Sequence, residues 1–520
     1  MQLTRPLHRA LTDCPHRTAL VDGGRRVAYG EVAGRVARLA ALLHARGVRT
    51  GDRVALLGMN SARYVEAIYA VWWAGGVVNP VNIRWTAAEM AWSLDDCETR
   101  WLIVDQAFAA QVPALREQSH CLVEVLYFGD GVAPADVVDV EAALVGRAPM
   151  EDAARQRDDL AALMYTGGTT GKPKGVMLSH ANLFIGTLSA SASVHREAGA
   201  VALTCAPLFH VGAIGHLLQL IGHAATVVLL PAFAEVAIMQ GIADERATET
   251  FLVPTMLKRL IDHPRFGDFD LSSLRSVLYG AAPIDEGLLN QALCAMPSAG
   301  FVQFYGMTEL SPVITALPAS CHLPTGDQAA RVRLRSAGRP IPMAEVAVID
   351  TAGQPVPPGR VGEIVARGPM VMQGYWGQPQ LSAQTLRGGW MHTGDLGRFD
   401  DEGFLYVVDR LKDMIITGGE NVYSAEVENV LLLMPEIAAC AVVGVADATW
   451  GERVHAALVL KSGKTVGSDR VIAHCREHLA GYKCPRSVEF RDALPLSAAG
   501  KLLKYEVRAS ARAMPEGETK

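Results

Sequence analysis

Cysteine is sparse here and forms no pattern. The 520-residue chain has 9 cysteines, at positions 14, 97, 121, 205, 294, 321, 440, 475 and 484, with no CxxC pair and no histidine-rich cluster. An odd, scattered set excludes a disulfide framework and a structural zinc site, and points to a reduced, cytoplasmic protein. Excess basic charge is missing too. The 48 Lys and Arg against 54 Asp and Glu give a net charge of −6, without the surplus of cations that a polynucleotide partner demands. Residues 1–15 carry Arg5, Pro6, His8, Arg9 and Asp13 but no apolar stretch, so a secretory signal is not expected. Long hydrophobic runs are also lacking: the most apolar stretch, 201–230, is broken by His210, His216, Gln219 and His223. That falls short of the roughly 18 uninterrupted apolar residues of a membrane span. Neither a fixed-period repeat nor a disordered composition is visible, since 50% of residues are hydrophobic and 20% charged, an ordinary globular balance.

What is present is a long α/β alternation, in a chain long enough for more than one domain. The spacing predicts helices over 31–44 and 61–73, strands over 53–57 and 101–104, and further strands over 226–230, 250–253 and 276–279. Segments long enough for crossover helices separate them, which implies layered α/β with parallel sheets. After about residue 340, short strand-like runs at 345–349, 362–366 and 403–408 sit among Gly, Pro and Asp, the texture of a small β-rich subdomain. Beyond Asp409 the pattern reads as a compact α+β unit, with helices at 425–433 and 469–479, strands at 439–445 and 454–460, and a last helix after Leu502. The expected fold is therefore a large N-terminal domain over 1–409, a boundary segment at 410–413, and a small C-terminal domain over 414–520.

One segment stands out chemically. Tyr165-Thr166-Gly167-Gly168-Thr169-Thr170-Gly171-Lys172-Pro173-Lys174-Gly175 follows the strand-like run 160–164 and holds four glycines, three threonines and two lysines. Glycines let successive N–H groups turn toward an anion, while hydroxyls and ammonium groups add donors and charge, so the loop is suited to phosphate. It is not a Walker A loop. Thr166 stands where that pattern needs its first Gly, and Pro173 where it needs Ser or Thr.

The loop resembles the signature of the adenylate-forming superfamily of acyl-CoA synthetases, luciferases and peptide-synthetase adenylation domains, with Gly167 where serine is usual. Further motifs of that family follow in its order and span nearly the whole chain: Ala206-Pro207-Leu208-Phe209-His210, Gly280-Ala281-Ala282-Pro283, Tyr305-Gly306-Met307-Thr308-Glu309, Ser336-Ala337-Gly338-Arg339-Pro340, Trp390-Met391-His392-Thr393-Gly394-Asp395, Asp409-Arg410-Leu411-Lys412-Asp413, Gly418-Gly419-Glu420-Asn421 and Gly500-Lys501.

The resemblance implies an ATP/AMP site of Thr166, Gly167, Gly168, Thr169, Thr170, Gly171, Lys174, Gly280, Ala281, Ala282, Tyr305, Gly306, Met307, Thr308, Asp395, Arg410 and Lys501. Tyr305 offers a ring for adenine, Thr308 a hydroxyl for the α-phosphate, and Glu309 a carboxylate for Mg²⁺. Asp395 and Arg410 fall at the ribose. Lys501 supplies the cation that bridges substrate carboxylate and α-phosphate. The resemblance also makes the boundary segment 410–413 a hinge, marked by Lys412, on which a mobile C-terminal domain moves between two catalytic poses. For CoA the implied residues are Gly418, Gly419 and Glu420, with Trp450 and Tyr482 as stacking candidates. His210 counts with Lys501, Thr308 and Glu309 among the catalytic candidates, although a buried, hydrogen-bonded core histidine is the competing reading. Phe209, His210, Val211, Gly212 and Gly306 fall at the acyl pocket.

The implied enzyme is an AMP-forming acid–thiol ligase with ATP, Mg²⁺ and CoA as cofactor or co-substrates. Its partners are small molecules, with no nucleic acid and no integral membrane association, and a homodimer is the assembly this reading allows. Medium- or long-chain fatty acids stand first as substrates. Aryl acids of the cinnamate or benzoate type stand second, and adenylation for a carrier-protein thiol is the runner-up. A silent nucleotide-binding regulator is disfavoured by Glu309 and Lys501, and a plain ATPase by the failed Walker pattern.

Overall fold

The computed structural model describes residues 1–166, 173–323, 328–447, 449–496 and 502–512. The chain forms two compact units, one of Met1–Val346 with Ala366–Met391 and the other of Ala347–Val365 with His392–Lys520. The expected hinge at 410–413 falls inside the second unit, because Arg410 is strand-paired with Asp395 and Asp409 caps the chain at Ser424.

In the first unit, six neighbouring strands of a nine-stranded sheet run parallel: β1 (Val201–Thr204), β2 (Thr226–Leu229), β3 (Glu249–Leu252), β4 (Ser276–Gly280), β5 (Gly300–Tyr305), and Thr18–Asp22, which lies beside β2. Their order in space is β5-β4-β3-β1-β2. The chain moves to one side from β1 to β2 and returns to the other side for β3, so a switch point lies between β1 and β3. In open α/β sheets, ligands bind outside the carboxyl ends of the strands at such a point. A second, eight-stranded sheet carries Arg53–Leu57, Val77–Pro80, Trp101–Val104 and Leu160–Thr166 in parallel.

Neither large sheet is wholly parallel, which departs from the sequence expectation. Leu160–Thr166 is followed by an antiparallel return strand, Lys174–Ser179, and β5 by the antiparallel Thr315–Leu317. Connections this short make hairpins, whereas a parallel pairing needs a crossover of a dozen residues or more.

The helices between the sheets are apolar nearly all round. Eleven of the twelve residues of Ala62–Trp73 are buried, as are ten of the twelve of α1 (Val211–Gly222). Such helices belong inside a core rather than on a surface, and both share one cluster with Tyr29–Ala45 and with strands of both sheets. Helix starts are set locally. Ser61 caps Ala62–Trp73 by accepting from the Tyr64 amide, and Ser179 and Asn182 form a reciprocal capping box ahead of His180–Ser191. The second unit has its own apolar core under the antiparallel pair Ile437–Asp447 and Gly451–Leu460. No helix among the described residues is long and apolar enough to cross a membrane.

Candidate active site

In the first unit the strand ends bring the motifs together. Gly280 pairs with Phe304 at the ends of β4 and β5, which sets Gly280-Ala281-Ala282 beside Tyr305-Gly306-Met307-Thr308. Both glycines are sterically required. A Cβ on Gly280 would lie 2.3 Å from the Phe304 carbonyl oxygen, and one on Gly306 would lie 2.1 Å from that of Pro312. Ala281 adopts a left-handed φ of 65°, rare for a residue with a side chain. Backbone strain of this kind clusters where a ligand is clamped.

Glu309 is buried just past β5. It accepts a hydrogen bond of 2.9 Å from the Tyr375 hydroxyl, and its carbonyl accepts one from the Met372 amide. Burial and the neighbouring carboxylate push the Tyr375 phenol far above its ordinary range, so it remains a donor. The Lys174 ammonium lies 5.4 Å from the centroid of that same ring. Glu309 makes no ion pair among the described residues, and a buried carboxylate without a protein cation fits a hard divalent cation such as Mg²⁺.

The two strands that flank the phosphate-type segment pair antiparallel. Tyr165 and Thr166 are in strand, and Thr166 pairs with Lys174. Tyr165 anchors the entry: its hydroxyl donates to Asp96 at 2.6 Å, and its ring packs edge-on against Trp85 and Trp92. Gly167, Gly168, Thr169, Thr170 and Gly171 lie outside the described residues, and so does Lys501.

After β1, the segment 205–210 is pinned from the other sheet. The buried Asn60 amide donates to the Ala206 carbonyl at 3.0 Å and its oxygen accepts from the Leu208 amide at 2.9 Å. Phe209 and His210 follow, their ring centroids 4.3 Å apart, and His210 is the residue ahead of α1. His210 is half-buried rather than enclosed, so the core-histidine reading does not describe it. Val211 is buried. Gly212 sits against Phe251 of β3, where a Cβ would be 3.6 Å from the ring.

In the second unit, Asp395 and Arg410 face each other across a hairpin, with Arg410 Nε 3.1 Å from Asp395 Oδ1. Asp395 is buried and Arg410 half exposed, so the pair offers a carboxylate and a guanidinium along one edge. Gly418 and Gly419, with φ of 59° and 83°, form the two-residue turn between Ile415–Thr417 and Glu420–Val422. That turn type demands positive φ at both positions, so chain reversal by itself calls for both glycines. Trp450 and Tyr482 are both partly exposed. The Arg486 guanidinium lies 4.2 Å from the Trp450 ring centroid, so one face of that indole is already covered.

On the last helix, Lys504 is tucked against Glu428 at 2.8 Å and Ser424 at 2.5 Å, and Arg508 lies 3.6 Å from Asp413 beside Lys412. Their helix docks on Ile437–Asp447, which turns that face inward. His474, Glu477 and His478 bring donor atoms within 4.8 Å of one another, because spacings of three and four meet on one helix face.

The family model described as AMP-binding enzyme matches residues 7–376, and that described as AMP-binding enzyme C-terminal domain matches 426–501. The chain is 42% identical over 506 residues to a feruloyl-CoA synthase from an Amycolatopsis species, with 97% of each chain covered. It is 37% identical over 512 residues to an indoleacetate–CoA ligase from Aromatoleum aromaticum, with 98% of each covered. Among solved structures, the o-succinylbenzoate CoA synthetase from Bacillus subtilis in complex with its acyl-adenylate matches with a TM-score of 0.84 at 31% identity, covering 99% of both chains.

Proposed function

Because the chain belongs to the AMP-binding enzyme family and is an AMP-forming acid–thiol ligase, we propose that the acid it activates is aromatic. The observation that carries this is the match along nearly the full chain to a feruloyl-CoA synthase, joined by an indoleacetate–CoA ligase. The fatty-acid expectation gives way to the aryl alternative on that ground. The local chemistry agrees, since the Phe251 ring lies against Gly212 and offers flat apolar surface to a ring.

The reaction has two halves. In the first, the acid's carboxylate attacks the α-phosphorus of ATP and pyrophosphate leaves, giving an acyl-adenylate. Thr308 and the loop ending at Lys174 bind the phosphates, Tyr305 the adenine, and Lys501 the shifting negative charge. Glu309, oriented by Tyr375, would hold Mg²⁺, and the bound cation would supply neutralisation of charge on the triphosphate. In the second half, the CoA thiol attacks the acyl carbonyl and AMP departs with the bonding electron pair. Asp395 and Arg410 hold the ribose, the segment at Lys412 pivots, and Gly418, Gly419, Glu420, Trp450 and Tyr482 meet CoA.

Steady-state kcat/KM for CoA-thioester formation, taken across a series of arylalkenoic, arylacetic and straight-chain acids, tests the substrate class. An aryl acid at least about ten-fold ahead of every alkyl acid is expected, about 1.4 kcal/mol of differential transition-state binding. A straight-chain acid at the head of the series restores the fatty-acid reading.

A further inference from the structure

In the second unit, α2 (Ser424–Leu431) and α3 (Ser468–His478) pack side by side, and α3 ends in His474-Cys475-Arg476-Glu477-His478. Three of these side chains are metal-type donors that neither half-reaction uses. At about 100° per residue, His474, Glu477 and His478 fall within one arc of about 100°, and Arg476 falls outside it. Its positive charge is therefore turned away from the trio. Cys475 belongs to the apolar core instead: it is fully buried, and burial pushes its thiol up to about 12, so no thiolate joins the set.

The hydrogen bonds of the two rings settle which nitrogen each can offer. His474 donates Nε2–H to the Val430 carbonyl on α2 at 3.0 Å, and His478 donates Nδ1–H to the His474 carbonyl at 2.9 Å. A carbonyl oxygen only accepts, so Nδ1 of the neutral His474 ring and Nε2 of the neutral His478 ring carry the lone pairs. Both rings are thus held in a single tautomer. A backbone carbonyl behind each imidazole is the support that metal-binding histidines use, because it fixes the ring and makes the free nitrogen more basic.

One donor atom from each of the three residues lies within 4.8 Å of those of the other two. Contracting this triangle onto a shared ion, at bonds of about 2.0–2.2 Å, takes only side-chain rotation. Glu477 and His478 are exposed and free to turn. Charge favours a cation as well: two neutral rings and one carboxylate leave the trio negative, and His478 is the last residue of α3, at the negative end of its dipole. Two imidazoles with one carboxylate suit Zn²⁺ and its transition-metal neighbours, whereas Mg²⁺ and Ca²⁺ take oxygen ligands.

We propose that His474, Glu477 and His478 form a site for Zn²⁺ or a like transition-metal dication, with water in the remaining position, and that the bound ion pins the end of α3 to α2 through the His474–Val430 bond. The site stands whichever acid the enzyme activates.

The test titrates metal-free, untagged full-length enzyme with Zn²⁺ against a chromophoric chelator in excess Mg²⁺, and repeats the titration with Co²⁺ for its visible spectrum. CoA-thioester turnover reports that each variant is folded. The wild type is expected to take up one equivalent at micromolar protein, with a Co²⁺ spectrum of nitrogen and oxygen ligation. The double variant His474→Gln/His478→Gln should lose that equivalent, Glu477→Gln should weaken it by at least about ten-fold, and Arg476→Gln on the same helix should leave it intact. Zn²⁺ should raise the melting temperature of the wild type and not that of the double variant. No uptake by the wild type, or an equivalent that survives in the double variant, overturns the site. Uptake that depends on the two histidines but leaves melting unmoved overturns the pinning.

Discussion

Glu309 is a buried carboxylate that makes no ion pair among the described residues, and Tyr375 is the donor that orients it. Glu309→Gln keeps the shape but removes the charge, and pyrophosphate release at saturating ATP should fall by about 100-fold or more. Tyr375→Phe should cost about ten-fold, in the range typical of a group that orients a metal ligand. Both variants should melt near the wild-type temperature, and a Tyr375→Phe enzyme with full activity would show that the bond is only structural. Glu309 was legible in the sequence because Tyr-Gly-Met-Thr-Glu is contiguous. Tyr375 was not, since it lies 66 residues away and reaches Glu309 only because Gly374–Tyr375 pairs with Lys174–Ser179. His216 was noted in the sequence merely as an interruption of an apolar run. Its buried partner Glu249, which Arg196 also pairs with, sits 33 residues after it, and nothing local joins the three.

Elements tell a similar story. The strands Arg53–Leu57, Trp101–Val104 and Glu345–Ile349 fall where their β-branched runs place them. The helix starting at Ala62 begins just after the expected Ser61, which serves as its cap. What composition could not give is the direction of pairing. A Gly-rich segment after an apolar strand reads equally as leading to a helix or to a return strand, and the structure puts a return strand after it, with Thr166 opposite Lys174. Close approach is equally invisible in sequence, yet it sets the tolerance of β4 and β5. Gly280→Ala forces a Cβ to 2.3 Å from a backbone oxygen. The strands must part to relieve it, and a loss of about 1–3 kcal/mol is expected. Urea unfolding of this variant should show a lowered midpoint, and ATP binding should weaken because Ala281 and Ala282 shift with the strand. An unchanged midpoint would mean that the approach of these two strand ends is not fixed.

For the molecule as a whole, buried histidines set the acid limit. Burial holds His180 and His322 down at about 4, against an ordinary value near 6.5. His322 donates through Nδ1–H to the Pro318 carbonyl and accepts from the Tyr279 hydroxyl at Nε2, a pattern that requires the neutral ring. Between pH 6.5 and 4 the unfolded chain binds these protons and the folded chain does not. Their contribution is therefore complete above about pH 6.5 and is lost as pH falls through about 4, of order 3 kcal/mol for each. Melting temperature should fall across that window, and His322→Gln should make the fall shallower. An unaltered slope in the variant would remove His322 from the account. The central claim is chemical, however, and one measurement reaches it most directly: enzyme, ATP, Mg²⁺ and 4-hydroxy-3-methoxycinnamate are mixed first without and then with CoA, and all products are identified by mass. Without CoA the account predicts one pyrophosphate per active site and a retained aryl-adenylate; with CoA it predicts the aryl-CoA thioester and AMP in equal amounts. ADP and inorganic phosphate as products, or an adenylate that CoA fails to discharge, would contradict it.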